Sequence, residues 1–516
     1  MLTKVWSVAH QGLQAIEVEV EVNVASRGFP GFHIVGLPTK AVEEARERVR
    51  TALVNSGVDF PQKKITVNLA PADIPKEGSA YDLPMAVGIL TCCGELMLPD
   101  KKTYFFGEVG LDGKLRHTRG VFLLAMLAKE KNVREIFVPK LSANEASVIE
   151  GVKIYPVGDL LKLVRHFREE RKIKPLATVS KKQILEEAEV DFDFAEVAGQ
   201  EQAKRALEIA ASGGHNVFMV GPPGSGKTML ARAMPGILPE LIEGEALEVT
   251  KIYSVTGNIE PGGGLVRRRP FRAPHHTTSR MGLIGGGSKP MPGEISLAHR
   301  GVLFLDEFAE YPRATLEALR QPLEDGIVTI VRVAGRVKFP AEFMLVAAAN
   351  PCPCGFLNHP KKDCRCLPGQ IIKYQKRLSG PILDRIDIHV NVPFVEMEKL
   401  RLKSKEKRKT SKEIRERVVT ARQRQENRFS AKGGSASRRK IFTNAEMRNK
   451  QIKKYCQVSD DAERLLQQAG DRFQLSARSY FRLIKVSQTI ADLAGVDKIE
   501  YSHIAEALQY RIREEN

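Results

Sequence analysis

The 516 residues include 80 Lys and Arg against 62 Asp and Glu, a formal charge of +18, with 42% hydrophobic and 28% charged residues. That length exceeds what one core serves, so two to four domains are expected, and the ordinary hydrophobic content excludes wholesale disorder. The longest strongly apolar run, Gly120–Ala128, is too short to cross a bilayer, the opening MLTKVWSVAHQGLQ lacks a signal peptide's apolar core, and seven cysteines are too few for a disulfide scaffold. A cytoplasmic chain with no membrane partner is expected.

Ile16, Val18, Val20, Val22 and Val24 alternate with Glu17, Glu19, Glu21 and Asn23, the period of two of a half-buried strand. Pro38 and Thr39 start a helix that Gly57 ends. KKITVNLAP reads as a strand and GSAYDLPMAVGILTCCGEL as an apolar helix, with Cys92 and Cys93 as core residues. YFFGEVGLDGKLR is a hairpin turning at Asp112-Gly113, VFLLAMLAKEKN a helix and EIFVPK a strand. This mixed unit is expected over residues 1–160, with a polar linker over 161–193. A second domain, 194–397, opens with the helix AGQEQAKRALEIAASG, followed by the buried strand NVFMVG and a glycine loop, and later by the strands VLFLDE and FMLVAAAN. Residues 398–516 hold a basic linker and a helical tail.

The charge is unevenly placed. Between Lys399 and Lys454 stand 21 Lys and Arg against five Glu, so most of the excess resides in one stretch. Such a block is either a grip for a polyanion or a solvated linker.

Gly221, Pro222, Pro223, Gly224, Ser225, Gly226, Lys227 and Thr228 form a complete G-x-x-x-x-G-K-[ST] loop between an apolar strand and helix-forming residues, the context that gives this motif its meaning. Its backbone N–H groups must turn inward around phosphate oxygens, which glycine permits. Lys227 is expected to neutralise the β and γ phosphates and Thr228 to offer a hydroxyl to Mg²⁺. The later VLFLDE delivers Asp306 for the Mg²⁺ shell and Glu307 to polarise the attacking water, at the strand end where open α/β sheets bind ligands. Together they point to hydrolysis of a nucleoside triphosphate, ATP above all. Asn350 ends another buried strand, where it can orient the lytic water. Arg385, set among apolar residues, needs a partner: a salt bridge with Asp384 or Asp387, or the γ phosphate of a neighbouring subunit as an arginine finger.

Cys352, Cys354, Cys364 and Cys366 form C-x-C-x9-C-x-C, a set for structural Zn²⁺ with four protein ligands and no open position; reduced free thiols and redox chemistry are the alternatives. Arg267, Arg268, Arg269 and Arg272, in a glycine-rich stretch over 255–300, offer phosphate contacts. His275 and His276, adjacent in a loop, lack the further ligands a metal needs.

GPPGSGKT, VLFLDE, the asparagine of AAAN, ILDR and the late SARSYFR look like an AAA+ ATPase. FRAPHHTTS, NPCPCG and LSARSYFRLIKVSQTIADLAG extend the likeness over nearly the whole chain, which resembles the magnesium-chelatase-like YifB/ComM family. The resemblance implies an α/β fold with an AAA+ P-loop parallel sheet and a C-terminal helical lid. It implies a homo-hexameric ring with ATP and Mg²⁺ between subunits. It makes Asn350 the sensor-1 residue, Arg385 the trans-acting finger and Arg478 the sensor-2 residue of the lid. The activity it implies is a DNA motor, indifferent to sequence, that promotes branch migration and unwinding of single-stranded or branched DNA in natural transformation. A hairpin ordinarily precedes the sensor-1 strand in this branch; DGIVTIVRVAGRVKFPAEF fits, with Arg332, Arg336 and Lys338 near a turn around Ala334-Gly335.

The first domain resembles the α+β proteolytic domain of Lon-type proteases, on Lys76-Glu77-Gly78-Ser79-Ala80 and GEVGLDGKLR. The nucleophile column holds Ala80 and the base column Phe122, so a degenerate, non-peptidase domain is expected. A chelatase-type remodeller of a protein partner and, further off, an ATP-dependent peptidase are the competing functions.

Overall fold

The computed structural model describes residues 1–177, 192–287, 290–332, 335–378, 380–395, 408–431 and 441–511. They fall into two compact units, Met1–Glu187 with Ile242–Arg267, and Ala188–Leu241 with Arg268–Asn516. Among the described residues, no helix is long and apolar enough to cross a membrane.

The first unit is built on a mixed seven-stranded sheet, in the order Gly31–Val35, Lys64–Ala70, Gln14–Val24, Leu2–Gln11, Thr103–Phe105, Glu135–Pro139, Lys153–Val157. The alternating strand places Val18, Val20 and Val22 wholly in the core. Above them lies the apolar helix Asp82–Cys92, whose Gly88 comes so close that a Cβ would stand 2.4 Å from Val22 Cγ2. Cys92 is half-buried and packs against this core, whereas Cys93, one residue past the helix, is exposed and is not the core residue that the apolar run implied. The first helix breaks at Glu44 into Lys40–Glu43 and Ala45–Asn55. Past residue 160, the helix Leu160–Phe167, capped by Asp159, still sends Leu160, Leu163 and Val164 into this core.

The segment between the two nucleotide motifs also packs here. Ser254, on helix Glu243–Thr256, donates its hydroxyl to Glu145 at 2.6 Å, and the Gly120 N–H donates to the Ser254 carbonyl at 3.1 Å. Burial pushes the Glu145 carboxyl up to about 7, against the Ser254 hydrogen bond. Ala80 and Phe122 are core side chains. Lys76 donates to the Pro71 carbonyl and Ser79 to Glu108, so serine and lysine engage different partners.

The second unit centres on a five-stranded sheet ordered Phe271–Arg272, Val302–Leu305, Met344–Ala349, Val217–Val220, Ile388–Asn391, every pair parallel. Val302–Leu305 and Met344–Ala349 are buried along their whole length, as continuous apolar runs in a parallel sheet covered on both faces should be. The helical C-terminal region, Ser411–Ala431, Asp460–Arg472, Ala477–Ala494 and Tyr501–Gln509, shares its core with this sheet. This is the AAA+ type of fold. A buried polar network runs from the start of the sheet into these helices: His215 meets Asp387 at 3.2 Å and Thr489 at 2.8 Å, and Asn444 holds Thr489 and Asp492 at 3.0 and 2.8 Å. Satisfied at each of these contacts, such a network favours one arrangement of helices over the alternatives.

The described part of the basic stretch is folded into the second unit. Its middle is the helix Ser411–Ala431, with Ile414, Val418 and Ala421 buried. Arg415 donates to the Gly236 carbonyl at 2.8 Å, Arg422 to the Ala211 carbonyl at 2.8 Å, and Arg417 pairs with Glu208 at 2.9 Å. These cations are occupied in holding the helix. The flanks, 396–407 and 432–440, lie outside the described residues.

Candidate nucleotide site

Because the sheet is parallel, Gly221, Asp306, Asn350 and Val392 all leave its strands at the same edge. The asparagine strand lies between the P-loop strand and the acidic strand, which puts Asn350 between the lysine and the two carboxylates. Gly221 passes so near the Val392 carbonyl that a Cβ would sit 2.1 Å from its oxygen, and Gly224 and Gly226 hold φ of +74° and +91°. Three glycines are thus required for two different reasons, close approach and left-handed backbone.

Helix Lys227–Ile237 starts directly from this loop. Lys227, 8% exposed, donates to the Gly221 and Pro222 carbonyls at 2.7 and 2.8 Å and reaches Asn350 Oδ1 at 3.4 Å. Burial lowers its pKa, with Asp306 opposing. Thr228 donates to Asp306 Oδ2 at 2.7 Å, and the Glu307 N–H to Asp306 Oδ1 at 2.9 Å. Among the described residues Ser225 Oγ is buried without a hydrogen-bond partner, inside a loop that Gln200 secures by donating to the Ser225 and Pro393 carbonyls at 3.1 and 2.6 Å. The glycine loop, its unpaired hydroxyl and the hard oxygen pair of Thr228 and Asp306 fit a triphosphate with Mg²⁺.

Glu307 adopts a left-handed φ of +50° and receives His276 Nδ1 at 2.8 Å. His276 therefore faces a carboxylate, while His275 turns to Thr277 at 2.9 Å. Sequence reasoning did not find this pairing, since nothing in the spacing of 276 and 307 announces it. Strands Phe271–Arg272 and Val302–Leu305 are neighbours, and that adjacency brings the two side chains together.

Arg385 pairs with neither Asp384 nor Asp387. It donates to Glu324 at 2.7 Å, and Asp387 is taken by His215 and Arg482, each at 3.2 Å. Arg478, in the first turn of the helix Ala477–Ala494, binds the same Glu324. Arg478 and then Arg385 hold that carboxyl below its usual range, against partial burial. Glu324 gathers the two arginines expected as trans-acting finger and sensor 2, and carries no sequence signal of its own.

Of the arginines expected to meet phosphate, Arg269 donates to the Pro239 and Arg300 carbonyls at 2.6 and 2.7 Å, and Arg272 makes a two-pronged pair with Glu294 at 2.6 and 2.8 Å. Both have structural duties instead. The expected hairpin is present as Ile327–Arg332 and Gly335–Pro340. Val328, Ile330 and Phe339 pack inward, and Arg336 and Lys338 stand exposed on the other face. The Arg332 side chain and the turn at 333–334 lie outside the described residues.

Cys352, Cys354, Cys364 and Cys366 bring their sulfurs within 4.8 Å of one another. Among the described residues this is the one group of His, Cys, Asp and Glu able to hold a metal ion.

A phosphate-type loop, two acids and an intervening asparagine at one edge of a parallel sheet, beside a helical C-terminal region, define an AAA+ protein. Family comparison specifies the branch. Residues 193–400 match magnesium chelatase, subunit ChlI; 20–142 match subunit ChlI of Mg-chelatase; and 408–511 match its C-terminal part. The chain is 44% identical to competence protein ComM of Haemophilus influenzae, over 99% of this chain and 97% of that one, and 41% identical to YifB of Escherichia coli over 99% and 97%. A magnesium-chelatase subunit ChlI of Nephroselmis olivacea is 25% identical over 46% of this chain and 68% of its own. The chain belongs to the YifB/ComM family of magnesium-chelatase-like AAA+ proteins.

Proposed function

We propose that this chain is a ring-forming ATPase that moves single-stranded or branched DNA irrespective of sequence, promoting branch migration and unwinding in natural transformation. One observation supports the ATPase above all: Thr228 meets Asp306 at 2.7 Å and Lys227 meets Asn350 at 3.4 Å, so the four converge around the glycine loop. The likeness to a competence protein supports the DNA half.

In this reading Lys227 and the loop N–H groups bind the β and γ phosphates, and Thr228 and Asp306 hold Mg²⁺, which supplies charge neutralisation when bound. Glu307 accepts a proton from the attacking water and Asn350 orients that water. Arg478 reaches the nucleotide of its own chain, and Arg385 that of the neighbouring subunit of a homo-hexamer, each leaving Glu324 to do so. Cys352, Cys354, Cys364 and Cys366 would hold a structural Zn²⁺ with no open position. The site is cytoplasmic. Strand displacement and branch migration on forked and four-way DNA, run beside Lys227→Ala, test the whole reading: equal activity in the variant refutes it.

Two results follow. DNA affinity should fall steeply with salt, and Arg336→Ala with Lys338→Ala should reduce the log–log slope by about one for each phosphate no longer neutralised. Arg422→Ala, by contrast, should lower Tm and leave that slope unchanged; the reverse pattern would return DNA binding to the basic stretch. His276→Ala should cut kcat by about tenfold with KM for ATP unchanged, because it frees the Glu307 carboxylate without touching the phosphate loop. A matching rise in KM would assign His276 to binding instead.

A further inference from the structure

The cysteine cluster stands directly against the nucleotide loop. Cys352 Sγ lies 3.4 Å from Cys354 and 3.7 Å from Cys364, and Cys354 lies 3.6 Å from Cys364. A disulfide would need about 2.05 Å. Four sulfurs around one ion at about 2.3 Å stand about 3.8 Å apart along each tetrahedral edge, close to what is observed. Donors that are all thiolate select a soft ion, and Zn²⁺ suits a closed set of four.

What this ion would hold is an irregular segment. Residues 351–367 form neither helix nor strand. Two attachments tie the segment to the phosphate loop. Gly355, at φ +81°, rests on the Pro223 ring so closely that a Cβ would come 2.5 Å from Cδ, and 3.7 Å from Asn350 Cγ. On the other side, the His359 ring packs on Phe394 at 5.0 Å, next to the Pro393 carbonyl that Gln200 shares with Ser225. Asn350, two residues before the first ligand, is the residue that reaches Lys227. The knuckle thus touches the loop at Pro223 and continues the chain directly from Asn350.

We infer that Zn²⁺ in this cluster braces the phosphate loop, so that metal occupancy sets nucleotide affinity. The inference rests on the zinc and ATPase readings above, and its test separates the three. Full-length protein is assayed for zinc by mass spectrometry, then stripped with a chelator under reducing conditions and reloaded with Zn²⁺. Binding of a fluorescent ATP analogue with Mg²⁺ is followed at each stage. The expected result is one zinc per chain, a Kd at least tenfold weaker after stripping, and recovery on reloading, with Lys227→Ala retaining its zinc.

Chain that takes up no zinc refutes the metal reading and the brace with it. One zinc per chain with Kd unchanged on stripping refutes the brace alone. Zinc-loaded protein that binds no nucleotide refutes the ATPase reading. If stripping abolishes the far-UV circular dichroism, Gly355→Ala decides: zinc retained, fold retained, and nucleotide at least tenfold weaker is the expected outcome, whereas unchanged affinity overturns the brace.

Discussion

Replacing Glu307 by Gln is expected to lower ATP turnover by about a thousand-fold, within the range of a lost general base, while nucleotide affinity stays near that of wild type. The amide keeps the volume of the carboxylate and can still meet His276, now 2.8 Å from Glu307, but it accepts no proton from water. Nothing in the change disturbs Lys227 on its loop carbonyls or Thr228 on Asp306. Phosphate release and nucleotide titration on the same preparation check it. Loss of affinity in proportion to loss of rate would make Glu307 a binding residue and remove its role in the chemistry. Lys227→Ala supplies the contrast, since there binding itself should fail.

Arg385→Ala should reduce turnover by at least about a hundred-fold, the effect of withholding an arginine finger. Within one chain the guanidinium is bound to Glu324 with its side chain 13% exposed, a pair it must leave to reach a neighbouring subunit's nucleotide. Glu324 keeps Arg478 after the substitution, so no carboxylate is stranded, and Tm should change little. The decisive measurement mixes Arg385→Ala with Lys227→Ala. The first retains a competent loop and the second a competent finger, so mixed rings should hydrolyse ATP faster than the two variants measured apart. A rate equal to their sum would confine Arg385 to a structural pair with Glu324.

The parts of this protein whose chemistry is local could be read from residue order. A glycine loop between a buried strand and a helix, an apolar strand ending in Asp306 and Glu307, and four clustered cysteines were all legible, because backbone conformation and short spacing are written in consecutive residues. So was the strand from Ile16 to Val24, whose period needs no partner to be seen. Which charges are free was settled by the folded chain alone. Twenty-one basic residues in one stretch read as a polyanion grip or a solvated linker, yet three of them are engaged within the fold, Arg415 and Arg422 by carbonyls 179 and 211 positions away and Arg417 by Glu208. The same holds for Arg269 and Arg272, for His276 on Glu307, and for Glu324 between two arginines. Whether a side chain faces a partner or a ligand depends on strand order and helix packing, which join residues by distance in space, and a one-dimensional pattern carries no record of that distance.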